Sequence, residues 1–337
     1  MALIPRDLSA FTAGTDEQRR TFAADLLDDY QRCGFAKIVN HGITEDEVRQ
    51  LFEWTKRFFG LSADAKHAIA HPPGPNPQRG WSRIGAENSS KLYASEFAKG
   101  VRHEELQDCR ANGYLPTKEH FDMGSAEDRE FCNQWPREGR LSGFREFMES
   151  CFDRLAAVTL NILKALELAL GIPHGSFTAR VSNAASEFRL LHYPSIDVQA
   201  IRSGMVNRIW PHFDLGVITL LFQDAQGGLE MQDRTTSRFV PVDPGSCGEM
   251  VTNISETLQR WTNGAINAGL HQVTVPKAMK TMEEGVMADR YSVAFFCKAD
   301  RQASVGPMEF FLSETRPAEY KEMSAIEYQQ QRLLTAY

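Results

Sequence analysis

The sequence predicts a mixed α/β protein in which an α-rich N-terminal half is wrapped against a β core, a barrel or double-sheet jelly roll, with a helix at the C-terminus. Three observations carry this. Up to Leu170 the long apolar patterns repeat at helical spacing. From about Ser186 the period shortens to 2. Turn signals such as Gly227-Gly228, Asp243-Pro244-Gly245 and Asn263-Gly264 then divide the second half into short runs.

The first helix opens on a capping box, Thr15 to Gln18, and carries Phe22, Leu26 and Tyr30 at four-residue spacing. Phe35 to Val39 is a short apolar run that reads as a strand, closed by Asn40-His41-Gly42. A second capping box, Thr44 to Glu47, starts a helix with Val48, Leu51, Phe52, Thr55 and Phe59 on one face. Residues 71–140 begin with a proline-rich stretch and lose periodicity, which predicts loops and short helices, a lid or a substrate-facing wall. The longest helical pattern runs from Gly143 to Leu170 and is stopped by Gly171 and Pro173. Strands are expected at Glu187–Tyr193, Asn207–Trp210, Gly216–Phe222, Leu229–Asp233, Arg238–Val242, Glu249–Asn253, His271–Val275 and Tyr291–Cys297, and a final helix from about Pro317 to Leu334.

Bulk properties narrow the classes. A length of 337 residues allows about two domains, and 42% hydrophobic with 24% charged residues is a globular mix. The net charge of −7 gives no electrostatic reason to bind nucleic acid or an anionic membrane. No run approaches the length of a transmembrane span, and the first twenty residues lack the pattern of a secretory signal. Six scattered cysteines without a CxxC favour reduced thiols and a cytoplasmic location. A metal would therefore rely on imidazole and carboxylate.

His212-Phe213-Asp214 is the constellation with chemistry in it. In an extended strand, residues i and i+2 share a face, so one strand can offer an imidazole and a carboxylate to one ion. His271, opening another strand-like run, can supply a third ligand. Two histidines and a carboxylate on one face suit non-haem Fe(II) and leave three positions for substrates and O2. The tripeptide alone is weak. With about one acidic residue in eight, nine histidines give about one such pair by chance. The chain has three: His103/Glu105, His120/Asp122 and His212/Asp214. His120-Phe121-Asp122 even repeats the tripeptide, with His174 and Arg180-Val-Ser182 downstream, but its surroundings read as polar and turn-rich, and His174 sits in a stop signal. A hydrogen-bonded strand histidine followed by a turn aspartate is the plainer account of His212 and Asp214. Arg290-Tyr291-Ser292 adds a guanidinium and a hydroxyl on one strand face, a cradle for a carboxylate.

Taken with these, Gly34–Ile43, Leu191-His-Tyr-Pro194, Gly227–Gln232, Trp261-Thr-Asn-Gly264 and Leu270-His-Gln-Val273 occur in an order that resembles the isopenicillin N synthase-like branch of Fe(II)- and 2-oxoglutarate-dependent dioxygenases. The resemblance spans most of the chain and favours His212 over His120. It implies a distorted double-stranded β-helix (jelly roll) core with a helical N-terminal region and a C-terminal helix. The implied divisions are 1–175 (mostly helical N-terminal region), 183–300 (Fe(II)/2-oxoglutarate core) and 301–337 (C-terminal helical extension). It also implies that His212, Asp214 and His271 bind Fe(II), and that Arg290 and Ser292, assisted by Tyr193, hold the distal carboxylate of 2-oxoglutarate, the cosubstrate. The expected reaction consumes O2 and releases succinate and CO2. The chain departs from the family pattern at Leu191, where many members have Asn, at Ser255-Glu256 in place of Gly-Asp, at Gln272 in place of Arg, and in an insertion from about Lys277 to Asp289.

The substrate is expected to be a small molecule. Arg189 shares a strand face with Tyr193 and can meet a phenolate, carboxylate or carbonyl, or sit in an ion pair within the sheet. Phe213 should point away from its two neighbours, into core, or else touch substrate. The resemblance extends to fungal enzymes that tailor aromatic polyketides or dearomatised phenols, including ring expansion to a tropolone. Pyrimidine-methyl hydroxylases of the same branch, an iron oxidase that does not use 2-oxoglutarate, and a metal-free binding module are the alternatives.

Overall fold

The computed structural model describes residues 2–72, 74–87, 117–137, 139–204 and 206–336. The N-terminal strand β1 (Pro5–Asp7) and the helix α1 (Ser9–Thr12) precede α2 (Asp16–Cys33). Thr15 and Gln18 exchange backbone-to-side-chain hydrogen bonds at the start of α2, and Gly34 ends it in the left-handed region at φ 80°. Then come β2 (Phe35–Val39), α3 (Glu45–Phe59), whose capping box is Thr44 with Glu47, and the one-turn α4 (Ala63–His67). The short strand β3 (Gly80–Ser82) and β4 (Glu119–Gly124) precede the long α5 (Phe144–Leu170).

The second half is built of β5 (Glu187–Tyr193), β6 (Ile196–Asp197), a short α6 (Val198–Arg202), β7 (Ile209–His212), β8 (Ile218–Gln223), β9 (Leu229–Gln232), β10 (Phe239–Pro241) and β11 (Met250–Ile254). After α7 (Glu256–Trp261) come β12 (His271–Val273), β13 (Val286–Met287), β14 (Arg290–Cys297) and α8 (Ala325–Ala336). Eight strands form one sheet in the order β1-β2-β11-β8-β14-β5-β4-β3, and four form a second, β10-β9-β12-β7. β13 pairs with β6. No helix among the described residues is long and apolar enough to cross a membrane.

Strand parity sorts the residues of the large sheet. Phe188 and Leu190 of β5 and Val293, Phe295 and Cys297 of β14 join the core shared with α2, α3 and α5, where Phe152 meets Phe295 edge to face at 5.1 Å. Leu191, Tyr193 and Ala294 face the other way, into a core shared with Ile209, Leu229, Met231 and Val273 of the small sheet. A double-sheet jelly roll covered on one side by helices is the fold the sequence predicts.

The expected elements differ in three places. His120 and Asp122, in a stretch that reads as turn-rich, lie on β4 within the large sheet, at 1% and 0% exposure. All six residues of β4 are buried, its polar side chains are met by polar partners, and alternation, the usual strand signal, is absent. The C-terminal helix begins at Ala325, not at Pro317, because Ser324 is its cap, with Glu327 closing the box. The N-terminal stretch, expected to be mostly helical, also supplies four of the eight strands of the large sheet, β1 to β4. Part of the expected lid or wall, residues 88–116, lies outside the described residues.

Candidate metal centre

β7 and β12 pair antiparallel with His212 opposite His271, which brings the two imidazole centroids to 4.2 Å. β7 ends at His212, so Asp214 is not the strand neighbour expected from the i, i+2 pattern. It sits in the turn to β8, where its carbonyl accepts from the Glu256 backbone N–H at 2.8 Å. That turn returns Asp214 Oδ1 to 3.8 Å from His212 Nε2 and 3.9 Å from His271 Nε2. All three donor atoms lie within 4.8 Å of one another.

The surrounding hydrogen bonds point these atoms inward. Nδ1 of His212 donates to the Trp210 carbonyl at 2.9 Å, and Nδ1 of His271 to the Gly269 carbonyl at 3.0 Å. Each bond leaves Nε2 as the lone-pair nitrogen facing the centre. Asp214 Oδ2 accepts from Thr219 Oγ1 at 2.6 Å and Asn253 Nδ2 at 2.8 Å, leaving Oδ1 available. Burial and the adjacent His271 push the His212 imidazole well below its ordinary pKa, so it stays neutral. Burial alone would raise the Asp214 carboxyl, but the charge that His271 or His212 carries when protonated, with the Asn253 and Thr219 hydrogen bonds, outweighs it and holds it below its usual range. An available imidazole nitrogen on each histidine and a carboxylate oxygen on one face form a donor set that fits Fe(II).

A cavity of about 1090 Å³, the solvent at its mouth included, opens beside this centre. β14 and β5 pair Arg290 with Tyr193 and Ser292 with Leu191, and all four side chains line the cavity. Arg290 is 1% exposed. Its donors go to neutral acceptors: the Gly227 carbonyl at 2.9 Å, Ser292 Oγ at 3.2 Å and Gln223 Oε1 at 3.3 Å. A buried guanidinium with no carboxylate of the described residues in ion-pair reach is suited to an anionic ligand.

Arg189 also lines the cavity, and the ion-pair reading of it holds as well: its Nε donates to Asp122 Oδ1 at 2.7 Å and its Nη1 to Glu87 Oε2 at 3.0 Å, while Nη2 meets Gln78. Phe213 is on the cavity wall too. The expectation that it points away fails because the strand has already ended, so period-2 alternation no longer governs it.

The decoy pair assembles nothing comparable. His120 Nε2 lies 3.3 Å from Asp122 Oδ2 and 3.1 Å from Gln78 Oε1, Asp122 is engaged by Arg189, and His174 is exposed. Among the described residues, His212, Asp214 and His271 are the one group with metal-holding geometry. His103 and Glu105 lie outside the described residues.

Sequence reasoning misses several participants. Thr219 and Asn253 face the cavity by parity on β8 and β11, a signal that becomes readable only once those strands are paired. Gln78, Glu87 and Lys118 come from the aperiodic stretch, and Gln329 and Leu333 from α8. Two of the departures from the family pattern are locally satisfied. Gln272 donates to Glu230 at 2.9 Å, and Glu256 accepts from Tyr328 at 2.6 Å and Arg332 at 3.0 Å, which ties α8 to the turn holding Asp214.

Comparison with known proteins agrees with this geometry. Residues 5–138 match the family described as non-haem dioxygenase in morphine synthesis N-terminal, and residues 188–299 match the 2OG-Fe(II) oxygenase superfamily. The chain is 46% identical over 340 residues to the 2-oxoglutarate-dependent dioxygenase phqC of Penicillium fellutanum, covering 98% of this chain and 94% of that protein. It is 38% identical to the proline hydroxylase buaE of Petromyces alliaceus, with 98% of both covered. The crystal structure of a full-length Neurospora crassa protein in complex with alpha-KG and thymine superposes with a TM-score of 0.84 at 27% identity, covering 99% of this chain and 97% of that one.

Proposed function

The chain belongs to the 2OG-Fe(II) oxygenase superfamily, and from that premise we propose that it hydroxylates a small amino acid bound as a zwitterion. It is a 2-oxoglutarate-dependent dioxygenase acting on a small molecule, with Fe(II) and 2-oxoglutarate as its requirements. In this reading His212, Asp214 and His271 hold the iron, and Arg290, Ser292 and Tyr193 hold the cosubstrate. Bound Fe(II) supplies the oxidising chemistry, in which O2 delivers one oxygen atom to a substrate C–H bond while 2-oxoglutarate becomes succinate and CO2.

The protein's own part is to hold and to exclude. The backbone carbonyls of Trp210 and Gly269 keep Nε2 of each histidine toward the iron, and Thr219 with Asn253 fixes the Asp214 carboxylate. Arg290 and Ser292 offer donors to the distal carboxylate. Phe35, Leu221, Leu229 and Val273 keep that end of the cavity apolar. No side-chain proton donor or acceptor is needed for the oxidation itself.

The observation that carries the substrate class is the other wall, where charges of both signs face the cavity. Glu87, Lys118 and Arg189 have side chains only 12%, 5% and 8% exposed, with Lys118 Nζ 2.5 Å from Glu87. Burial alone would raise the Glu87 carboxyl, yet Arg189 and Lys118 hold it well below its ordinary range, so it is ionised. On this desolvated wall Glu87 pairs with Lys118 and Arg189, and Arg189 also with Asp122; an α-ammonium and an α-carboxylate entering together can exchange into that network, each meeting the opposite charge. The proline hydroxylase among the relatives has a substrate of that kind. An aromatic polyketide or dearomatised phenol, with or without ring expansion, is a further reading, in which Arg189 or Lys118 meets a phenolate or carbonyl. A pyrimidine is the second reading, favoured by the thymine bound in the Neurospora crassa complex.

Incubation with Fe(II), ascorbate and 2-oxoglutarate and a panel of aliphatic L-amino acids, proline, thymine and phenolic acids tests this. Succinate formed in step with a singly oxygenated amino acid is the expected result. Turnover of thymine or a phenol, with every amino acid inert, overturns it.

A further inference from the structure

Arg208 is 0% exposed, and nothing in the family pattern or the ligand set uses it. Its Nη2 donates to the Ala288 carbonyl at 2.5 Å, but Nε and Nη1 are buried without a hydrogen-bond partner. No carboxylate of the described residues forms an ion pair with it, and Asp224 and Asp289 act on it only from farther away. Its guanidinium carbon is 5.9 Å from the centroid of the Tyr193 ring, and that of Arg290 is 4.8 Å from the same centroid. Two buried cations therefore share one tyrosine, and the donors of Arg290 end on neutral groups. Burial, and then Arg290, pushes Arg208 down to about 10, so it remains protonated at neutral pH. A buried cation in this condition is unfavourable unless a negative charge arrives to balance it.

We propose that Arg208 is a positioning residue for 2-oxoglutarate, supplying through Tyr193 a second positive charge that favours the distal carboxylate beside Arg290. The inference rests on the reading of Arg290, Ser292 and Tyr193 as the cosubstrate pocket. Arg208 does not line the cavity, so it acts through space and by backing the tyrosine ring, not by direct contact. Its position, four residues before His212, makes the segment that carries one proposed iron ligand also carry a charge for the far end of the cosubstrate. The competing account is structural: Arg208 merely ties Ala288, in the long segment before β14, to the start of β7.

The two accounts separate on a ligand pair. 2-Oxoglutarate and 2-oxopentanoate have the same chain and the same chelating end, but only the former has a distal carboxylate. The Fe(II)-loaded enzyme, kept anaerobic, is titrated with each by its visible absorbance for wild type, Arg208→Met, Arg208→Lys and Arg290→Met. Arg208→Met is expected to weaken 2-oxoglutarate by about tenfold, or about 1.4 kcal/mol, to leave 2-oxopentanoate unchanged, and to be largely rescued by Arg208→Lys. The melting temperature without ligand should not fall, whereas the rise caused by 2-oxoglutarate should shrink. Equal weakening of both ligands, or unchanged 2-oxoglutarate affinity, overturns the proposal. If Arg290→Met also leaves 2-oxoglutarate affinity unchanged, it is the reading of the pocket that fails. Should Arg208→Met fold poorly, Arg208→Gln is put through the same pair of titrations and judged by the same outcomes.

Discussion

Replacing Asn253 by Ala tests how the Asp214 carboxylate is held. Asn253 is 3% exposed and donates a side-chain N–H at 2.8 Å to Asp214 Oδ2, the oxygen that also takes the Thr219 hydroxyl at 2.6 Å. Removing one of the two lets the carboxylate rotate and takes a charge-assisted hydrogen bond worth about 1.5–3 kcal/mol from a buried group. If that support serves mainly to aim Oδ1, divalent-metal affinity falls by about 10- to 100-fold, the range for partners of a ligating carboxylate. The double variant with Thr219→Val should lose more than either single one, because both donors share an acceptor. Equilibrium dialysis with Mn(II), a redox-inert stand-in for Fe(II), measures this directly at neutral pH. Gln272→Leu, which breaks the contact with Glu230 and leaves both donors in place, serves as the control. Affinity within about twofold of wild type for Asn253→Ala and for the double variant would refute the idea that these two residues orient the ligand.

Burial raises the Asp122 carboxyl from 3.8 to about 6, against the opposing pull of Arg189. A folded-state pKa above the unfolded value contributes stability that is complete below about 3.8 and is lost as pH rises through about 6. Relative to Asp122→Asn, wild type should therefore gain on the order of 3 kcal/mol as pH falls from about 7 to about 4, read from paired urea titrations. A difference that stays flat across that window rejects the assignment. For the C-terminal helix, Gln329 and Leu333 line the cavity while Tyr328 and Arg332 anchor on Glu256. Tyr328→Phe with Arg332→Leu should raise the substrate KM several-fold with little change in the 2-oxoglutarate KM. Equal changes in both constants would mean that α8 does not wall the substrate side.

Legibility follows locality. Both capping boxes, the Phe35–Val39 strand and the 27-residue helix ending at Leu170 are readable because each is decided within a few turns of chain. β4 is not, since its polar residues are satisfied by partners far away in sequence, such as Asp122 with Arg189 and Glu119 with Lys66 and His192. Phe213 escapes the alternation rule because the strand that would justify it ends one residue earlier.

Strand and helix periods along the chain determined the fold class, and the ordered motifs, through the family they resemble, pointed to the reaction class and to the residues proposed to hold iron and cosubstrate. Only the tertiary structure decided what stands around them. The pairing of β5 with β14 sets Arg290 against Tyr193, and the turn after β7 swings Asp214 back toward two imidazoles. Burial leaves Arg208 without an anionic partner among the described residues and puts Glu87, Lys118 and Arg189 on one wall. These features follow from sheet register and desolvation, which arise between segments distant in sequence and therefore leave no local pattern to read.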